Sequence, residues 1–409
     1  MKEGDYALEL LEKLVSIPTE NPPGVGYEDI AALLEESLKE IGLEVNVIEI
    51  PEDYLDKRYP HAPLHRGRRR LIVYGYTSTG KGGPILHFNG HYDVVPAGQG
   101  WSHDPFKPVV EGGKLYGRGS TDMKGGIAAA MAAIAGYLEE CRPRGRLEAV
   151  FVPDEETGGV GTRYLIESGL TRPNYVVIGE PTPRDGVVVG HRGLLKARVF
   201  VEGRQAHASM PWMGRNAFIN AARLVLAFIE DYEPRLKRKI SSFEAEVGDE
   251  RARHPTITLG GYAESTSRKE NIVPGGFVFS IDRRLIPEED PWEAKRELEE
   301  VFARVATRLG VNARLEVVDL IPPALTPRGS RLINEGLHCV REVVGRARPI
   351  VSMIRSDASF YIGMLRAEAI NYGPGEPSLA HMADEYVRLE RLEETIRVYK
   401  CIMRSILGC

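Results

Sequence analysis

A chain of 409 residues exceeds what one hydrophobic core usually serves, so two domains are expected. Apolar residues at 43% and charged residues at 27% are the balance of an ordinary globular protein, which argues against a fibrous, disordered or membrane-embedded chain. The formal net charge of -5 and the lack of a basic stripe argue against a nucleic-acid partner, because duplex binding concentrates lysine and arginine on one face.

Taken in chain order, DYALELLEKLVSIPTENPP reads as an amphipathic helix stopped by prolines, without the basic-then-apolar pattern of an export signal. EDIAALLEESLKEIGLEVNVIEI follows as a helix ended at Gly42 and an alternating strand. The basic run HRGRRR at 65–70 reads as a solvated connector ahead of the strand RLIVYGY. A turn, TSTGKGG, then leads to the strand PILHFNG. Residues 75–82 nearly spell a phosphate-binding loop. Gly82, however, stands where a hydroxyl residue should hold magnesium, and a strand follows instead of a helix, so a nucleotide site is rejected.

The small-residue run at 125–138, GGIAAAMAAIAGYL, reads as a helix too short for the roughly 20 residues of a membrane span. RLEAVFVPDEE is a strand ending in carboxylates, TRYLIESG a helix, and YVVIGE another strand ending in a carboxylate. This alternation predicts an α/β sheet with helices on both faces. Near Gly190 the order changes to strand, helix, strand, strand, helix, strand: LLKARVFVEG, NAFINAARLVLAFIEDY, TITLGGY, GGFVFSIDRRL, PWEAKRELEEVFARVATRLG and ARLEVVDLI. That is the β-α-β-β-α-β order of a ferredoxin-like sandwich, so residues 191–321 are expected as an insertion into a domain made of 1–190 and 322–409. Cys141, Cys339, Cys401 and Cys409 are scattered, with no C-x-x-C pair, and read as reduced thiols of a cytoplasmic protein.

In open α/β sheets chemistry sits beyond the carboxyl ends of the strands. Those ends deliver His91 and Asp93 after PILHFNG, Asp122 in the glycine-rich turn GRGSTDMKGG, and Asp154, Glu155 and Glu156 after RLEAVFVP. They also deliver Glu180 after YVVIG, and His381 in the loop after AEAINYG. Singly, each fits a hydrogen-bonded histidine or a helix-capping acid, and His87, inside its strand, is assigned to the core. Together, two histidines and several carboxylates at one sheet edge, without thiolate, suit catalytic zinc, cobalt or manganese. A surplus carboxylate is what a metal pair needs as a bridge. The H-x-D spacing would let the Asp93 carboxylate fold back and hold His91 in one tautomer.

HFNGHYDVVPAG, GGKLYGRGSTDMKGG, PDEETGG, GEP, GRQAHASMPWMGRNA and AHMADEY resemble, in order and spacing over nearly the whole chain, the dinuclear zinc amidohydrolase and peptidase family of acetylornithine deacetylase, succinyl-diaminopimelate desuccinylase, aminoacylase and glutamate carboxypeptidase. The resemblance implies a zinc-peptidase-like catalytic domain, its mixed sheet flanked by helices, with an inserted ferredoxin-like lid through which a homodimer forms. It implies two divalent ions, zinc first with cobalt or manganese as alternatives, bridged by Asp122. One ion would also be held by His91 and Glu180, the other by Glu156 and His381. Glu155 matches the general base and Asp93 the partner of the first histidine. His207, in GRQAHAS, matches a residue that reaches the partner subunit's site, and Asn271 and Arg283 match groups that bind the substrate carboxylate. Arg283 and Arg284 point opposite ways on a strand, and family position favours Arg283.

The implied activity is hydrolysis of the amide bond of small N-acyl amino acids, with metallo-carboxypeptidase or dipeptidase action on short peptides as the alternative. The loop GRQAHASMPWMGRNA looks more like the deacetylase and carboxypeptidase branch than the desuccinylase one. SMIRSDASF, with Asp357, falls where the family varies its substrate-contacting loop.

Overall fold

The computed structural model describes residues 2–77 and 82–409, so the centre of the phosphate-loop look-alike, at 78–81, lies outside the described residues. The chain divides into two compact units. Met1–Gly190, Leu325–Ile350 and Ser356–Cys409 form the larger; His191–Ala324 and Val351–Arg355 form the smaller. Against the expected boundary after 321, the insertion runs to Ala324, and five later residues return to it. Hydrogen bonds explain the return: the backbone N–H of Arg192 donates to the Ser352 carbonyl, that of Glu246 to the Val351 carbonyl, and the Ser352 hydroxyl to the Glu246 carboxylate. Such pairing across the sequence has no local signature.

The larger unit is built on a mixed sheet, as expected, with strand order Glu44–Glu49, Leu71–Tyr76, Arg146–Val152, Ile85–His91, Tyr175–Ile178, Glu368–Asn371, Gly186–His191 and Arg348–Ser352. The run from Arg146–Val152 to Glu368–Asn371 is parallel, while Glu44–Glu49 and Leu71–Tyr76 add on antiparallel at one side. Parallel strands covered on both faces are apolar without alternation. Arg146–Val152 follows that rule, with every residue after Arg146 buried. On one face Ile72, Tyr74, Val150 and Val152 pack with Leu55, Tyr59, Val160 and Leu165. On the other, the helix Gly125–Glu140 is buried almost all round, between Glu3–Ser16 and Leu389–Leu407. Its small side chains are what let two helices approach it. Among the described residues no helix is long and apolar enough to cross a membrane.

The smaller unit is a four-stranded antiparallel sheet in the order Thr256–Ser265, Gly276–Leu285, Gly193–Glu202, Ala313–Ile321, with helices Ala217–Lys237 and Pro291–Leu309 on one face. Numbered along the chain, that order is 2-3-1-4, the ferredoxin-like arrangement. Gly193–Glu202 shows the period-2 burial of a sheet with one covered face.

The reading of the cysteines as free thiols is corrected. Cys141 is bonded to Cys409 and Cys339 to Cys401, 268 and 62 residues apart. Packing of Leu389–Leu407 against Gly125–Glu140 and Arg331–Val344 brings the pairs together, which spacing alone does not reveal.

Candidate metal centre

Four parallel strands deliver the polar residues at one level because their register aligns their ends. His91, the last residue of Ile85–His91, pairs with Val152 of Arg146–Val152, and Asn89 lies opposite Ile178. Glu155 and Glu156 therefore emerge beside His91 on one side, and Glu180 on the other. Asn371 pairs with Ile178 one strand further on and leads into the loop that holds His381. Asp122 comes from the tight turn Ser120–Lys124 ahead of the helix Gly125–Glu140, in a non-helical conformation with the peptide after it cis. A Cβ on Gly126 would fall 2.0 Å from the Gly179 carbonyl oxygen, so only glycine lets this helix start touch the residue before Glu180.

The two oxygens of Asp122 face two different histidines. Oδ1 lies 3.2 Å from His91 Nε2 and Oδ2 3.4 Å from His381 Nε2. His91 Nε2 is also 3.8 Å from Glu180 Oε1, and His381 Nε2 is 3.0 Å from Glu156 Oε1. The result is two donor sets, His91–Asp122–Glu180 and Asp122–Glu156–His381, each with its ligand atoms within 4.8 Å of one another. A tetrahedral ion with bonds of roughly 2.0–2.1 Å places neighbouring donors about 3.3 Å apart, so both sets could close on one. The His91 tautomer agrees: Nδ1 lies 2.9 Å from the Asp93 carbonyl oxygen, which can only accept, so a neutral ring turns its Nε2 lone pair toward Asp122 and Glu180.

Crowded charges set the electrostatics of the centre. Burial, then the neighbouring Glu180 charge, pushes the Glu155 carboxyl well above the usual range, and burial with Asp122 does the same to Glu180 and, less far, to Glu156. Asp122 is held below its ordinary value, because hydrogen bonds from His381 and His91 outweigh its burial. His381 is raised to about 10 by its bonds to Asp122 and Glu156. Burial would lower His91, but its contacts with Asp122 and Asp93 prevail and raise it well above normal. Carboxylates that hold protons this firmly on two histidines would hold divalent cations for the same electrostatic reason.

The structure changes the expected part of Asp93. Its carbonyl is the nearer acceptor for His91, and its carboxylate, 3.5 Å from the ring, serves chiefly another purpose. It accepts the backbone N–H groups of Glu155 at 3.1 Å and Glu156 at 3.3 Å, and the Asn21 side chain at 3.0 Å. Asn21 also donates to Asp154, and Asp154 accepts from Tyr27 and from Arg70. The reading of HRGRRR as a solvated connector therefore fails at both ends, since His65 and Arg70 are buried. Arg70 is fully buried, its guanidinium over the rings of Tyr27 and Tyr59 and paired with Asp154. An arginine opening an otherwise apolar strand was the available signal for it; Asn21 had none. His87 stays in the core as expected, between Glu148 and the Tyr361 hydroxyl.

The remaining expected residues lie in the smaller unit. His207 and Asn271 come together there: Ala206–His207 pairs with Ile272–Val273, and the Ala208 N–H donates to the Asn271 carbonyl. Both are exposed. The backbone N–H of Ser209 donates to His207 Nδ1, so a neutral ring carries its proton on Nε2. Arg283 is corrected. The strand Gly276–Leu285 turns Ile281, Arg283 and Leu285 toward the helices, and Arg283 is fully buried, 2.6 Å from Glu289 and over the Tyr232 ring. Enclosed this way it has no exposed face to offer a substrate. Arg284, on the opposite face, has a side chain 39% exposed and pairs with Asp282. In the larger unit, Asp357 is buried and accepts from Thr162.

Residues 87–405 match the model of peptidase family M20/M25/M40. A succinyl-diaminopimelate desuccinylase from Alkalilimnicola ehrlichii is 32% identical over 80% of this chain and 86% of its own length. An M20 family metallo-carboxypeptidase from Sulfolobus solfataricus superposes with a TM-score of 0.70 at 19% identity, over 98% of both chains. A dinuclear metal-binding M20 peptidase from Bacillus subtilis gives 0.70 at 12% identity, over 99% of this chain and 98% of that one.

Proposed function

The chain belongs to peptidase family M20/M25/M40, a family of hydrolytic enzymes, and on that footing we propose that it is a dinuclear metal-dependent amidohydrolase cleaving the amide bond of N-acyl amino acids. The observation that carries this reading is the division of the Asp122 oxygens between two donor sets. His91 and Glu180 complete one set, Glu156 and His381 the other. Nitrogen and oxygen donors without thiolate favour zinc, with cobalt and manganese as the competing fits. When bound, such a pair supplies Lewis acidity and lowers the pKa of water to near neutrality.

The chain's own groups would do the rest. Glu155 takes the proton of the attacking water and passes it to the leaving amine, a role worth about 10²–10⁴-fold. Its raised proton affinity and its anchored backbone support that role. His207, with Nε2 as donor, would polarise the scissile carbonyl from a second copy of the chain. Asn271 remains the partner of the substrate carboxylate, and Arg284 takes the part the buried Arg283 does not fill. A second copy is also the occupant we propose for the apolar side chains that Phe218, Ile219 and Leu226 hold out from the helix Ala217–Lys237, giving a homodimer through the smaller unit.

The desuccinylase-named relative supports the N-acyl amino acid class. Peptidase action on dipeptides or peptide carboxyl termini is the second reading, which the same centre and the family name support. The test is turnover of N-acetyl, N-succinyl and N-formyl amino acids and of dipeptides with zinc, cobalt and manganese, alongside Glu155→Gln. Cleavage of N-acyl amino acids, abolished in a variant that keeps its metals, supports the proposal. Cleavage of dipeptides alone moves the enzyme to the second reading. A fully metallated protein that cleaves neither overturns both.

A further inference from the structure

Resting on the two-metal reading, we propose that Arg118 and Glu385 are positioning residues that fix Asp122 and His381 relative to each other before any metal binds. Neither contributes an atom to the donor sets. Asp122 follows the short strand Lys114–Tyr116, and His381 precedes Tyr386–Arg388; the two strands pair antiparallel, with Tyr386 opposite Tyr116. The loops that carry the shared aspartate and the second histidine thus leave one ladder together.

Within that junction the Glu385 carboxylate is fully buried and replaces missing secondary structure. One oxygen accepts the N–H groups of Thr121 at 2.8 Å and Asp122 at 3.0 Å; the other accepts the Gly119 N–H at 3.0 Å and the Arg118 guanidinium at 2.6 Å. Backbone donors in a buried irregular turn need such partners, and here one side chain serves three of them. The same guanidinium then grips the other loop. Its nitrogens donate to the carbonyls of Met382 at 3.2 Å and His381 at 3.5 Å, and to that of Ala97 at 3.2 Å. The Thr121 hydroxyl adds a bond to the Tyr386 carbonyl at 2.6 Å.

Both ligands need this restraint. Asp122 has φ -126 and ψ 95 at the head of a helix, and His381 has φ 64, a left-handed conformation that a side-chain-bearing residue rarely adopts unless its surroundings impose it. Ligand sets work only when held within about 0.5 Å of the required geometry. Arg118 acts mainly on the His381 loop and Glu385 on the Asp122 turn, so their loss affects the two metals differently.

The experiment is calorimetric titration of metal-free wild type, Arg118→Met, Arg118→Lys and Glu385→Gln with zinc, with circular dichroism as the check of folding. Wild type should take up two zinc ions. Arg118→Met should keep the first and bind the second at least tenfold more weakly, Arg118→Lys should recover part of that loss, and Glu385→Gln should weaken both because Asp122 is shared. Wild type binding fewer than two ions sinks the dinuclear reading itself, whatever the variants do. Wild type binding two, with folded Arg118 variants matching it at both steps within twofold, overturns the positioning role alone. If Arg118→Met does not fold, Arg118→Lys decides by the same criterion. If neither folds, the pair is a folding element and the proposal falls.

Discussion

Arg70 and Asp154 form an ion pair at 3.1 Å in which both side chains are fully shielded from solvent. Asp154 lies directly before the proposed base and a proposed ligand, so the pair neutralises a charge the fold must bury at the site. Removing one partner of such a pair leaves an uncompensated buried charge, which costs about 3–5 kcal/mol. Arg70→Met should therefore lower unfolding stability by about that amount in denaturant titration, and Arg70→Lys by less. A change below about 1 kcal/mol in Arg70→Met would show that Asp154 does not depend on the guanidinium.

Asp93 holds the backbone of Glu155 and Glu156 with its carboxylate and the His91 ring with its carbonyl. Asp93→Ala removes the first function and keeps the second. Outer-shell losses of this kind typically cost 10–100-fold in activity or metal affinity. The expected result is a kcat reduced by about that factor, read from steady-state kinetics at saturating metal. An unchanged kcat would mean that the Glu155 loop holds its shape without the carboxylate.

Opposite faces of one strand separate Arg283 from Arg284. Arg284→Ala should raise KM with little change in melting temperature, whereas Arg283→Ala should destabilise the smaller unit by removing the buried guanidinium that Glu289 and Glu297 share, leaving Lys239 as their remaining cation. Kinetics and thermal melts on the two variants distinguish them. A raised KM in Arg283→Ala with an unchanged melt would restore the original assignment.

Both disulfides end on the C-terminal helix or just beyond it, at Cys401 and Cys409. Closing a loop of 62 residues removes chain entropy worth on the order of 4 kcal/mol from the unfolded state. Cys339→Ser/Cys401→Ser should therefore melt at a lower temperature than wild type under non-reducing conditions. With reductant the difference should shrink as wild type loses the same bond. Equal melting without reductant would contradict a stabilising role.

The five proposed ligands were legible because a parallel sheet puts side chains at predictable places. His91, Glu156 and Glu180 follow apolar strands whose ends align by register, and Asp122 opens a helix whose glycines admit close packing. Asn21, Arg118 and Glu385 have no such signal. Their roles exist only in contacts between remote segments, such as 72 residues from Asn21 to Asp93 and 267 from Arg118 to Glu385. The cysteine pairs stayed hidden for the same reason, since helix packing selects their partners. Arg283 is a different case. The period-2 alternation that buries it beside Ile281 and Leu285 is present in SIDRRL and outweighs its position within the family motif.

The most direct test is anomalous diffraction at the zinc edge from crystals of the wild-type enzyme grown with zinc. The account predicts two peaks flanking the Asp122 carboxylate, one beside His91 and Glu180 and one beside Glu156 and His381. A single peak, or none within bonding distance of Asp122, would contradict it.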